Sequence, residues 1–139
     1  MDFDKDFLGR LFEQATESPR LRQSFDLRTS SADSSQRILN TLLPGTVVPI
    51  HRHLNTSETV VCLCGKIDEV IYEESDLNKE TRSLREIQRI RLCPTEAKYG
   101  CQVPIGVWHT VEVIEPSVIF EAKDGAYAPL TSEEVWSNE

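Results

Sequence analysis

All three histidines of the 139-residue chain sit at positions that severely limit its fold: His51 and His53 as a His-x-His pair, and His109 more than fifty residues later. Side chains on a strand alternate between faces, so His51 and His53 emerge on the same side. Glu58 lies an odd number of residues from His53 and would face the other way on an unbroken strand. The intervening Leu54-Asn55-Thr56-Ser57, rich in turn formers, therefore has to reset the chain direction and deliver Glu58 onto the next strand. Bringing His109 to the same interior requires a distant strand to return, which a closed β-barrel accomplishes.

Three neutral imidazoles and a carboxylate suit one divalent transition metal such as zinc, iron, manganese or nickel. With one glutamate against a doubly charged ion, the site keeps a formal charge near +1 and favours an anionic or chelating ligand in its open positions. A lone His-x-His pair is more often two ordinary residues. Here Gly45 and Gly65 frame the first cluster, and Pro104 and Gly106 precede His109 at fixed spacing.

The rest of the chain reads as one all-β domain. Phe7, Leu8, Leu11, Phe12 and Ala15 form one helical stripe within Asp4 to Thr16, ended by Ser18-Pro19. Arg20 to Arg28 reads as a strand or extended arm, and Thr29 to Ser35 as a polar loop. Periodicity leaves Gln36 to Leu43 open between strand and helix. Thr59 to Tyr72 is β-rich, with Gly65-Lys66 at a turn between two strands, and Glu73 to Glu80 ends a hairpin arm. Ile87–Leu92, Cys101–Val103, Trp108–Ile114 and Ser117–Lys123 read as further short strands, with a turn at Pro94 to Gly100. Residues 1–35 are thus helix and arm, 36–129 the barrel, and 130–139 a polar tail with Trp136 as its anchor.

Composition narrows the partners. Twenty-three acidic against 15 basic residues give a net charge of −8, which disfavours nucleic acid or an anionic membrane. No apolar run reaches a membrane span, and the acidic start lacks a signal-peptide n-region. Cys62, Cys64, Cys93 and Cys101 form neither CxxC nor a disulfide framework, so a cytosolic protein with reduced thiols is expected. Strand parity puts Cys62 and Cys64 on the face of Glu58, where they read as small core hydrophobes.

The spacing Gly45-x5-His51-x-His53-x4-Glu58-x6-Gly65 resembles the first motif of the cupins, and Pro104-x-Gly106-x2-His109 the core of the second. Gly100 lies four residues before Pro104 rather than six, and Val113 replaces the asparagine of the general motif. More specifically, the chain resembles the WbuC-type cupin fold metalloproteins. The likeness rests on Ser18-Pro19-Arg20, Gln36-Arg37, Leu39-Asn40, Leu43-Pro44-Gly45-Thr46, Ser57-Glu58-Thr59, Gly106-Val107-Trp108-His109-Thr110, Phe120-Glu121, Lys123, Gly125 and Tyr127, besides the histidine pair. It implies a cupin β-barrel or jelly roll with a short N-terminal helix, one divalent metal on His51, His53, Glu58 and His109, a homodimer, and a link to surface-polysaccharide (O-antigen) biosynthesis.

Around the metal, the shared residues Gln36, Arg37 and Asn40 are expected to contact a small anionic or sugar-like ligand. Arg52 should face away from the ligands in a structural salt bridge, and Trp108 should pack in the core. Of the pairs on the last strand, Phe120 and Ala122 are expected to point inward, leaving Glu121 and Lys123 outside. Metal chemistry of this kind serves an isomerase or lyase, a dioxygenase, or a protein that only binds its ligand.

Overall fold

The computed structural model describes residues 1–75 and 82–137. Helix α1 (Lys5–Glu17) is followed by β1 (Arg22–Asp26), β2 (Ser35–Leu42), β3 (Glu58–Ser75), β4 (Ser83–Leu92), β5 (Gly100–Val103) and β6 (Trp108–Asp124). The carboxylate of Asp4 caps α1 by accepting from the Phe7 amide at 2.9 Å, and the apolar stripe buries Phe7, Leu11 and Ala15. Of the stretch Gln36 to Leu43, all but Leu43 belongs to strand β2.

The sheet runs β1-β2-β6-β3-β4, all antiparallel, while β5 pairs with the first residues of β3. The fold is a jelly-roll type β-barrel built on two long strands, β3 and β6, which pair from Glu58–Lys123 to Tyr72–Trp108. The expected turn at Gly65-Lys66 is instead an irregular stretch within one strand, with register shifts between Cys62 and Ile67. Gly65 makes this possible. Its φ is +94°, and a β-carbon there would lie 2.3 Å from the carbonyl oxygen of Pro116. Likewise Trp108–Ile114 and Ser117–Lys123 are a single strand. Residues 73–75 extend β3, whereas 76–80 of the expected hairpin arm lie outside the described residues.

The irregularity also separates the two cysteines assigned to one face. Cys62 is buried with Leu42, Val60, Ile67, Leu92 and Ile119 inside the barrel, whereas Cys64 packs with the other cluster. That second core lies between sheet and helix, where Phe7 and Leu11 meet Leu39 and Val118, with Phe120 packed alongside. The sheet is therefore covered on both faces where β2 and β6 pass beneath α1.

Candidate metal centre

The chain from Pro44 to Ser57 carries two of the donors. His51 exchanges backbone hydrogen bonds with His109 on β6, 2.9 Å in each direction, which puts the two imidazoles side by side with ring centroids 4.3 Å apart. Two residues on, His53 returns to the same side. Its carbonyl accepts from the Gly106 amide at 2.8 Å, and Gly106, at φ +78°, forms the turn that leads into His109. Glu58 opens β3 opposite Lys123 of β6.

The structure brings His51, His53, Glu58 and His109 together, with one donor atom from each lying within 4.8 Å of all the others. His53 Nε2 stands 3.0 Å from Glu58 Oε2, and His109 Nε2 4.0 Å from Glu58 Oε1. The Nδ1 atoms of His51 and His109 lie 2.8 and 2.9 Å from the carbonyl oxygens of Pro49 and Val107. A carbonyl only accepts, so each Nδ1 carries the proton and each Nε2 keeps its lone pair. His109 Nε2 is buried without a hydrogen-bond partner among the described residues, and His53 Nε2 meets the Glu58 carboxylate. A buried nitrogen with a free lone pair, converging with two further imidazoles on a carboxylate, fits a divalent ion.

Electrostatics keep the group ready for ligation. Burial, reinforced by the neighbouring His109, pulls His51 down to about 4, and burial lowers His109 as well. Burial pushes the Glu58 carboxyl up, but its contacts with His53, Lys123 and His109 outweigh that and hold it below its ordinary value. His51 and His109 are neutral and the Glu58 carboxyl ionised near neutral pH, the forms a metal needs. Burial pushes the Cys62 thiol up to about 11 and that of Cys101 to about 12, so neither offers a thiolate.

The donors line a cavity of about 990 Å3. Gln36 and Asn40 of β2 line it too. Arg37 does not. It sits between them on the alternating strand, faces the opposite side and pairs with Asp33 at 2.6 Å, so strand parity removes it from the pocket. The expectation for β6 is reversed as well: Glu121 and Lys123 point into the cavity, and Phe120 packs toward α1. Lys123 Nζ donates to Glu58 Oε2 at 3.3 Å, and the Asn40 amide donates to Glu121. Burial and the charge of Glu58 push Glu121 up to about 8.

Arg52 forms no ion pair among the described residues. Its guanidinium stacks 4.3 Å over the buried Trp108 ring, and its Nε donates to the Glu133 carbonyl. The segment after Thr131 binds the donor strand from the other side: the Arg52 amide donates to the Glu134 carbonyl, the Trp136 amide to that of Ile50, and the Leu54 amide to the Glu134 carboxylate.

The family model for a domain of unknown function, DUF6016, matches residues 3–84, more than half the chain, including His51, His53 and Glu58. The chain belongs to the DUF6016 family. No curated protein matches it. Among solved structures, this DUF6016 protein is similar to KdgF from Halomonas sp. (14% identity, 80% of this chain and 85% of the other, TM-score 0.56). It is also similar to an oxalate oxidase in complex with the substrate analogue glycolate (15%, 82% and 56%, 0.57) and to the Cnp3 cupin domain of Schizosaccharomyces pombe (13%, 75% and 61%, 0.55). At these identities the likeness establishes the cupin fold.

Proposed function

We propose that the protein is a metal-dependent cupin of the WbuC type, an enzyme that takes a small anionic, hydroxyl-bearing substrate, sugar-derived or a carboxylate, in surface-polysaccharide biosynthesis. The observation that carries the metal reading is the convergence of one donor atom each from His51, His53, Glu58 and His109 within 4.8 Å of one another, with His109 Nε2 buried and without a hydrogen-bond partner among the described residues. His51, His53, Glu58 and His109 would hold one divalent ion. When bound, such an ion polarises a ligand oxygen as a Lewis acid.

The residues around it favour an anion. Lys123 supplies the cation that Arg37 was expected to provide, and Gln36 and Asn40 offer amide groups on the cavity wall. Asn40 is held in place from both sides, accepting from Ser24 Oγ at 2.5 Å and donating to Glu121. The glycolate of the oxalate oxidase neighbour is a ligand of this chemical type. The polysaccharide assignment and a homodimer rest on the family resemblance, and a cytosolic location on the cysteine pattern.

Elemental analysis of tag-free protein tests the metal, with about one divalent ion per chain expected. His109→Ala should lower affinity for it by more than about 100-fold, since loss of supporting residues alone costs about 10 to 100-fold. Lys123→Ala should lower kcat/KM toward small hydroxy-acids by more than it weakens metal binding, since its Nζ also donates to Glu58. Ligand binding without turnover would make the protein a metal-dependent binding protein, and metal-free preparations with unaltered ligand affinity would remove the reading altogether.

A further inference from the structure

The barrel interior holds a carboxyl group that the metal centre does not use. Glu69 lies on the inward face of β3, opposite Val111 of β6, and the next inward pair along these strands is Ile71 with His109. Two residues of strand separate it from the His109 level, about 7 Å. It lines the same cavity as the four donors, yet its side chain is completely buried and, among the described residues, neither carboxylate oxygen has a hydrogen-bond partner.

An ionised carboxylate in that position would be costly, because its facing groups are themselves acidic: Glu58 on its own strand and Glu121 on β6. Lys123, a cation of the cavity, is engaged with Glu58. Burial above all, and then the charges of Glu58 and Glu121, push Glu69 well above the ordinary carboxylate range. A neutral carboxyl has one O–H to donate, and here that donor has no acceptor among the described residues. Native structures seldom leave a buried polar side chain without a partner, and one facing a cavity invites its partner from the ligand.

We propose that Glu69 is a ligand-contacting hydrogen-bond donor at the inner end of the cavity, serving an acceptor oxygen of a small hydroxy-carboxylate held at the metal-binding group. The assignment rests on the metal reading above and adds to Lys123 and the amides of β2 a further donor, from β3. It also narrows the substrate class to molecules with two separated oxygen groups, one for the ion and one for Glu69.

The test uses full-length protein carrying the metal with which it is purified, and glycolate as the probe. Infrared difference spectra at neutral pH should show, besides the band of Glu121, a second carbonyl stretch of a protonated carboxylic acid that disappears in Glu69→Gln and shifts when glycolate is added. Calorimetric titration should give glycolate affinity about 10 to 100-fold weaker in Glu69→Leu, the effect of losing a hydrogen bond to a charged ligand, and within about threefold of wild type in Glu69→Gln, which retains a donor. Metal content should be equal in all three. A missing protonated band, a band indifferent to glycolate, equal affinity in Glu69→Leu, or no glycolate binding to the metal-loaded wild type would each overturn the role of Glu69. Wild-type protein that takes up no metal would instead fail the reading on which it rests, and the two results are told apart by elemental analysis.

Discussion

Asp68 and Glu69 are consecutive residues of β3, both buried and both acidic, and their circumstances are opposite. Asp68 faces the outer side of the β3–β4 pair, where Arg91 Nε reaches it at 2.5 Å and Arg89 at 3.4 Å. Burial pushes its carboxyl up, but the two guanidinium groups more than offset this and hold it below its ordinary value. Glu69 faces the barrel interior, meets other carboxyls, and is pushed up. A change of one position along a strand exchanges a paired charge for an unpaired acid. The outer carboxyl serves the fold, while the inner one is a liability to it unless something enters the cavity.

The difference is best broken at Glu69. In metal-free protein at pH 7, Glu69→Leu should raise stability by about 1–4 kcal/mol, because it replaces a buried unpaired acid with an apolar side chain; chemical denaturation measures this. A loss of stability would mean that Glu69 has a partner.

The pH dependence should separate the two carboxyls in sign. For Glu69 the folded value lies above the unfolded one of 4.5, so the folded state binds the proton more tightly and stability falls as pH rises above about 4.5. The slope is at most about 1.4 kcal/mol per pH unit for one proton. Comparing Glu69→Gln with wild type should show this component removed. Asp68 works the other way. Its folded value lies below the unfolded 3.8, so its stabilisation is present above about 3.8 and disappears as pH falls through the folded value. Asp68→Asn should abolish that acid-side loss and lower stability near neutrality by about 1–2 kcal/mol, discounted because both arginines are over a third exposed.

The smallest effect should come from salt. Raising ionic strength should weaken the Asp68–arginine network by no more than about 1 kcal/mol and leave the Glu69→Leu difference unchanged. A salt response confined to Glu69 would invert the comparison.

The metal donors were legible because spacing is written directly in the sequence, and the turn at Leu54–Ser57 explains how the odd interval to Glu58 is absorbed. The contrast between Asp68 and Glu69 was not. Counting alternation from Glu58 puts Glu69 on the wrong face, since it lies eleven residues away; the register shifts between Cys62 and Ile67 restore it to the interior. The Gly65 frame was visible, but not that it marks an irregular stretch rather than a turn. Lys123 and Glu121 were missed for a different reason. Apolar Phe120 seemed destined for the barrel, yet the helix gives β6 a second buried face, and hydrophobicity alone does not say which of two cores a residue enters. Arg37 fails by the parity that admits Gln36 and Asn40. The signal available in sequence was the assignment of the stripe on α1: a helix with five apolar residues needs an apolar sheet face beneath it.

The segment that follows Thr131 grips the backbone on both sides of His51 and His53, through Ile50, Arg52 and Leu54, and bridges His51 at Val135. Under the metal reading, ion capture and docking of that segment would be linked equilibria, each favouring the other by the same free energy, so that releasing the segment would weaken the metal site without touching a single donor atom.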